Sequence, residues 1–594
     1  MAKKNASIVR LTSLQYLLVG LNLAVRFYSS LYMIIGDCDE TFNYWEPLNF
    51  LNRKFGKQTW EYSPEFAIRD YLYLLIYYVL GFPVPALASL LSSTADITLP
   101  HTVSYYQFYW LRFVALNGIT SYAEINLFKV LNVYFSPSIA NWFLFFTSIA
   151  PGMSHAGVAL LPSSFAMQCN LFAISAGIIA ISTSDISKYI STIHWFLIGG
   201  LIGWPFALAL AIPFGLYTLF NRQLWKSKQI YTIIFKNFVG LVLISTFSIT
   251  VNAYYYKRAL FVPLNIVLYN VFGGEGEGPE IFGVEPFSYY ILNLLINFNI
   301  TVLLGYAGVI FNPFLYSTKT LLLTFITSLP TLIWTLVFFS QPHKEERFLY
   351  PIYPLISINA AFFTYKIFAF INQVVLFAYG RSSHTVQRFV TRSIQFIFLI
   401  SVFTVSILRI VNLVENYSSP LTVLASISKE PEASNNHDTI YNVCMGREWY
   451  HYPNSFFLPS NYRLKFVKSS FDGLLPGDFG EVGPIKDITS TIPIGMNNKN
   501  QFEPDKVVEL EECDYYIDNS GVTNGNEPEL IVTEKDGLQA HSDWEIITCE
   551  KLLNPDGNHS GLAKILYIPP DIRRYLGQRI EYMEFCALKR VNHQ

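Results

Sequence analysis

The sequence predicts an all-α polytopic membrane protein that carries a mixed α/β domain at its C-terminal end. Three observations support this. Of the 594 residues, 52% are hydrophobic, 16% aromatic and only 14% charged, against about 25% charged residues in a typical soluble chain. Apolar runs fill most of residues 1–415, whereas residues 416–594 have the polar, Pro- and Gly-punctuated texture of a soluble domain. Finally, Lys3, Lys4 and Arg10 precede an apolar stretch that reaches Ile35, longer than the core of a signal peptide. The formal net charge is -2 and no Lys/Arg block exceeds a pair, so no basic field exists to attract nucleic acid.

The first apolar stretch reads as an uncleaved anchor with its basic end in the cytosol, which places the acidic segment from Asp37 on the lumenal side. Further spans of roughly 20 residues follow near 70–92, 105–131, 138–154, 160–182, 194–220, 230–254, 288–311, 318–340, 349–376 and 391–414, about eleven in all. Pro137, Pro151 and Pro162 interrupt the stretch 130–165, where a re-entrant segment serves as well as a span. Alternate threading leaves Arg222, Lys226, Lys228, Arg381, Arg388 and Arg392 in the cytosol. It puts the GGEGEGPE loop at 273–280 and the domain 416–594 in the lumen, as the positive-inside rule requires. Sequons at Asn416 (NYS) and Asn558 (NHS) fall on the lumenal side, and a third match at Asn5 (NAS) on the cytosolic one.

Of six cysteines, Cys444, Cys513, Cys549 and Cys586 lie in the tail without a CxxC pair. Zinc is therefore a poor reading, and the tail has either two disulfides, in any of three connectivities, or buried free thiols. No repeat of 20–50 residues occurs, which gives no support to an inverted-repeat transporter.

The chemistry concentrates in two places. Asp37, Asp39 and Glu40 put three carboxylates around Cys38 at the end of the first span, within a first lumenal loop covering residues 36–70. Like charges this close, at an apolar boundary, raise one another's pKa, which suits a general base; a merely acidic, solvated loop is the bland alternative. Tyr44, Trp45 and Trp60 follow among charges, an interfacial texture that suits a substrate cleft as well as simple anchoring. Asp37-Cys38-Asp39 also fits a metal-binding DxD pattern, but no Gly-rich strand-to-helix turn is present to build a nucleotide-binding domain, so no metal is expected. The second place is the short loop His343, Lys344, Glu345, Glu346, Arg347. There Arg347, Lys344 and His343 suit a phosphate, and Glu345 and Glu346 suit sugar hydroxyls; mutual ion pairing at the headgroup level is the bland alternative.

GDCDETFNYWEPLNFL, FGKQTWEYSP, FGVEPFSYYILN and QPHKEERFLYPIYPL resemble the dolichyl-phosphate-mannose-dependent mannosyltransferases of the lipid-linked oligosaccharide pathway. The match is nearest to the α-1,2 branch of the asparagine-linked glycan pathway and continues through NVCMGREWYHYPNSFFLP, RLKFVKSSFDGLLPGDF and GMNNKN. The resemblance implies a multi-span glycosyltransferase (GT-C) fold in the endoplasmic reticulum membrane, with dolichyl phosphate mannose as donor. It also implies a dolichyl-diphosphate-linked oligosaccharide as acceptor, in six-mannose and eight-mannose forms, membrane lipids as surroundings, and no cofactor. The chain departs from the pattern at Asn252-Ala253, where an Asp-Ser pair is expected. Going from a β-linked donor to an α-linked product inverts the anomeric carbon, so one base suffices when cations stabilise the leaving phosphate. Asp39 is the expected base, with Asp37 and Glu40 beside it and Arg347 first for phosphate. Other members of the family, with α-1,6 linkage or a glycosylphosphatidylinositol precursor as acceptor, and a lipid-linked-sugar flippase are the competing readings.

Overall fold

The computed structural model describes residues 10–94, 101–274, 278–379, 384–430, 439–522, 527–534 and 537–591. Lys3, Lys4, Asn5, Arg381 and the centre of the GGEGEGPE loop lie outside them. Among the described residues, six helices are long and apolar enough to cross a membrane: Tyr71–Leu91, Pro162–Thr183, Gln229–Tyr256, Ser317–Ser340, Glu346–Ala378 and Thr385–Ile427. A seventh span is counted if Ser288–Phe298 and Ile300–Leu315 are taken together, although they meet at a bend of 112°. The hinge is Asn299 at a positive φ of 43, a region that asparagine enters more readily than most residues with a side chain.

The other four of the eleven expected spans are helical, but broken or polar. Ser13–Tyr32 buries Asn22 and Arg26. Residues 103–134 run as helix through a π-helical stretch at Leu111–Gly118 and bury Arg112, Asn117 and Glu124. Pro137–Ile149 stops where Pro151 restarts the chain, because proline cannot continue the hydrogen-bond ladder. Ile186–Ile198 passes through a π-turn into a 3-10 segment starting at Pro205.

One buried ion pair joins these polar helices. Arg26 donates from Nη2 to Glu124 Oε1 at 2.7 Å and from Nε to Oε2 at 3.2 Å. Asn22 and Thr147 complete the carboxylate, each at 2.7 Å. A charge this deep is tolerated only when its lone pairs are satisfied.

The tail is mixed α/β. Its main sheet has the order β3-β2-β5-β9-β8, where β2 is Tyr441–Met445, β3 Tyr462–Phe466, β5 Tyr515–Asn519, β8 Trp544–Leu553 and β9 Tyr582–Arg590, while β6 (Ile531–Glu534) and β7 (Gly537–Ala540) pair with each other. The β2–β3 and β2–β5 pairs are parallel, and β5–β9 and β8–β9 are antiparallel. Disulfides Cys444–Cys513 and Cys549–Cys586 select one of the three connectivities. The Asn416 sequon lies at the end of the helix His384–Tyr417, buried, with its Oδ1 accepting from Tyr582 Oη at 2.9 Å. It has no room for a glycan in the folded chain, whereas Asn558 is exposed.

The tail grips the first loop. The short strand β1 (Lys57–Gln58) pairs antiparallel with β4 (Gly477–Asp478), and Lys57 meets Asp478 at 2.8 Å. Buried Glu46 accepts from the backbone N–H of Ser455 at 2.6 Å and of Lys57 at 2.9 Å, and Arg53 donates to the carbonyl of Leu458 at 2.8 Å. The first loop and the tail are thus one wall rather than two independent parts.

Replacing Glu124 with Leu leaves Arg26 charged and unpaired, at an expected cost of about 3–5 kcal/mol. Thermal unfolding of the purified protein in detergent should show a marked loss for Glu124→Leu and a smaller one for the Arg26→Met/Glu124→Leu double variant. Equal losses would mean that packing, not charge, decides this node.

Candidate active site

The loop after the first helix turns sharply because Asp37 caps a new helix, its Oδ1 accepting from the N–H of Asp39 at 2.9 Å. Cys38–Glu40 passes into a π-helical turn, Thr41–Trp45, and then into Glu46–Arg53. Successive helical side chains diverge by about 100°, so the neighbouring carboxylates separate. Asp39 faces a cavity of about 1110 Å³. Glu40 turns inward, 4% exposed, and accepts from Trp45 Nε1 at 3.0 Å and from the N–H of Leu160 at 3.1 Å.

Two guanidiniums meet at Asp39. Arg347 Nη1 lies 2.7 Å from Asp39 and 2.6 Å from Asp37, and its Nη2 pairs with Glu345. Arg69 Nη2 lies 2.8 Å from Asp39 and 2.6 Å from Glu61, and Arg69 Nη1 donates to Tyr44 Oη at 3.1 Å. The cluster sets the carboxylates of Asp37, Asp39, Glu61 and Glu345 against two fixed positive charges. Burial, reinforced by Glu345 and Asp39, pushes the Asp37 carboxyl up to about 8 despite Arg347. Burial likewise pushes Glu61 up to about 7 despite Arg69. It also opposes the charge of Asp39, but Arg347 and Arg69 outweigh it and hold this carboxyl below its usual range. Burial and the crowding of like charges thus favour the neutral forms of Asp37 and Glu61 over their charged forms. The expectation that crowding raises Asp39 is corrected: Asp39 is the member both guanidiniums hold, and burial raises its neighbours Asp37 and Glu40 instead.

The 343–347 loop divides in the same way. Arg347, Glu345 and His343 line the cavity. His343 Nδ1 donates to the carbonyl of Gly283 at 2.7 Å, and its Nε2 meets Glu345 Oε1 at 3.0 Å. Burial works against its positive charge, but the contact with Glu345 outweighs it and raises the histidine pKa. Lys344, expected at the phosphate, is instead buried, its Nζ donating to the carbonyls of Glu285 at 2.8 Å, Gln341 and Pro342; this ammonium holds the loop in shape. Glu346 also leaves the cavity, contacting His155, Asn293 at 2.7 Å, Asn297 at 3.0 Å and Tyr353 at 3.3 Å. Tyr44 and Trp60 line the cavity, whereas Trp45 is fully buried behind it against Phe108 and Phe456.

Arg69 and Glu61, which line the cavity beside Asp39, are candidate site residues that sequence reasoning passed over. The available signal was an arginine directly before an apolar span, on the same side as the acidic cluster. Asn252, where the family pattern departs, is 0% exposed and structural here. Its Nδ2 donates to Asp70 at 2.7 Å and its Oδ1 accepts from the N–H of Tyr71 at 3.0 Å. The amide thus matches a carboxylate, where a second carboxylate would repel it.

Asp37, Cys38 and Asp39 bring one ligand atom each within 4.8 Å of one another. Arginine engages one oxygen of each carboxylate, Oδ1 of Asp37 and Oδ2 of Asp39.

Residues 17–459 match the Alg9-like mannosyltransferase family. The chain belongs to that family. It is 36% identical over 586 residues to alpha-1,2-mannosyltransferase ALG9 of Saccharomyces cerevisiae, covering 97% of each chain. It is 38% identical over 532 residues to alpha-1,2-mannosyltransferase alg9 of Schizosaccharomyces pombe, covering 86% of each. In fold it is similar to ArnT from Cupriavidus metallidurans, solved bound to undecaprenyl phosphate, at a TM-score of 0.50 and 10% identity over 84% of this chain and 92% of that one. The architecture is therefore that of a polytopic GT-C membrane glycosyltransferase, and the cavity belongs to a mannosyltransferase.

Arg69→Gln removes one of the two charges that keep Asp39 ionised. The acid limb of the pH profile of mannosyl transfer should then move to higher pH by about one unit or more. An unmoved limb would show that Asp39 does not govern it.

Proposed function

We propose that this mannosyltransferase moves mannose from dolichyl phosphate mannose to a dolichyl-diphosphate-linked oligosaccharide, in α-1,2 linkage and with inversion. The acceptors are the six-mannose and eight-mannose intermediates. The observation that carries the chemistry is Asp39, 21% exposed in its side chain, lining the cavity between two guanidiniums. An ionised carboxylate takes the proton of the acceptor hydroxyl as that oxygen attacks the anomeric carbon. Arg347 and His343 meet the leaving phosphate, whose charge grows as the mannosyl bond breaks. Asp37 tunes Arg347 through their shared contact. Tyr44 and Trp60 offer ring faces to the sugar, and Glu345 orients His343.

The reaction side is the lumen of the endoplasmic reticulum, with about eleven passages through the membrane and a lumenal tail from residue 416. Supporting this orientation, Tyr256 Oη donates to the carbonyl of Arg69 at 2.8 Å at one end of the 28-residue helix Gln229–Tyr256. The exposed Arg222, Lys226 and Lys228 lie at the other end, about 42 Å away. Arg388 and Arg392 stand at the start of the helix His384–Tyr417, whose far end touches the tail through Asn416. Basic residues thus mark the face opposite the site, as a cytosolic face should be marked.

Purified protein given both lipid substrates should form a product whose new mannose is released by an α-1,2-specific mannosidase; a product resistant to that enzyme overturns the linkage. Asp39→Asn should lower turnover by about 10²–10⁴-fold. Full activity in Asp39→Asn with loss in Asp37→Asn would transfer the role. Arg347→Lys should be intermediate and Arg347→Ala severe in both kcat and donor KM, since lysine keeps the charge without the planar fork. Chelation should leave the rate unchanged; loss with EDTA and recovery with manganese would assign Asp37 and Asp39 to a metal.

A further inference from the structure

The cavity has two unlike walls. The helical body contributes an apolar surface that includes Phe206, Ile266, Val337 and Phe338, while the tail contributes Trp449, Phe471 and Asn500. The tail wall is rigid. Trp449 sits in the single-turn helix Arg447–His451, and both of its neighbours on the N-terminal side are anchored. Arg447 bonds Asp518 at 2.9 Å and the carbonyls of Gly521 and Val522 at 3.0 and 3.1 Å. Buried Glu448 is held by Asn519 and His451. The indole packs on Phe471 with ring centroids 4.5 Å apart at 39°, and both rings are half-buried.

Beside them, Asn500 adopts φ 52 and its Oδ1 accepts from the N–H of Leu474 at 3.1 Å. That bond fixes the amide, and its Nδ2 has no protein partner among the described residues. Gly473 lets the elements close up: a Cβ there would meet the Phe471 ring at 2.2 Å and Asn500 Oδ1 at 2.6 Å. A fixed pair of aromatic faces with a positioned amide at the edge fits the chemistry of a pyranose, which offers an apolar C–H face and a rim of hydroxyls.

We propose that Trp449, Phe471 and Asn500 form a sugar subsite that grips mannosyl residues of the acceptor remote from the hydroxyl that reacts. This rests on the reading of the cavity as the mannosyl-transfer site. The tail is then a specificity element: it reads the acceptor glycan, and binding energy from unreacting sugars positions the attacking hydroxyl. The donor lipid is left to the apolar wall of the helical body.

The test compares wild type with Trp449→Ala, Phe471→Ala and Asn500→Gly, the last keeping the left-handed backbone while deleting the amide. Kinetics are measured against the full lipid-linked acceptor and against a truncated acceptor bearing only the reacting branch. The proposal expects acceptor KM to rise tenfold or more for each aromatic variant and less for Asn500→Gly, with donor KM unchanged. It also expects the wild-type preference for the full acceptor to be lost. Should Trp449→Ala not fold, Trp449→Phe, which gives up the indole N–H and part of the platform, carries the same comparison. Unchanged acceptor KM, or a rise in donor KM instead, overturns the subsite while leaving mannosyl transfer standing. A wild-type protein that transfers no mannose to either acceptor overturns the functional reading itself.

Discussion

Arg347 and Arg69 share the carboxylate of Asp39, and that shared contact ties together parts of the chain that are far apart in sequence. Asp37 and Arg347 are 310 positions apart and Asp39 and Arg69 are 30. Neither guanidinium could remain so deep without carboxylates, and four carboxylates could not remain without both guanidiniums and some protons. The balance fixes where the first loop lies, where the 343–347 loop lies, and how the carboxylate of Asp39 is presented to the cavity. In a medium that screens charge poorly, these few side chains set the field in which a sugar phosphate must bind.

The rest of the molecule holds this arrangement still. Glu46 and Arg53 lock the first loop onto the tail, and the β1–β4 pair continues the attachment. Lys344 pins the 343–347 loop through three carbonyls. Asn252 and Asp70 tie the start of the helix Tyr71–Leu91 to the helix Gln229–Tyr256. These contacts use polar groups that elsewhere would invite a functional reading; here they keep a few catalytic candidates in register, which a site with little tolerance for displacement requires.

The sequence made the membrane body, the α/β tail and the two charged clusters legible, because each leaves a local mark: an apolar run, a change in composition, a dense set of charges at a span end. It did not show how the clusters divide. Asp39 and Glu40 are adjacent, yet one helical step sends one to the cavity and the other behind it, and Lys344 and Glu346 part from Arg347 in the same way. Arg69 and Glu61 lay hidden among aromatic residues, where only long-range folding joins them to Asp39. Length and composition alone do not mark every span for a related reason, since helices that bury Arg26, Arg112 or Glu124 against one another are apolar on average but not on their inner faces.

The most direct test is a cryo-EM structure of the protein with a non-transferable analogue of dolichyl phosphate mannose. The account predicts the phosphate within hydrogen-bonding distance of Arg347 and His343, with the anomeric carbon turned toward Asp39 and the lipid along the apolar wall of the helical body. A phosphate seated instead beside His155 and Glu346, with the mannose out of reach of Asp39, would contradict it.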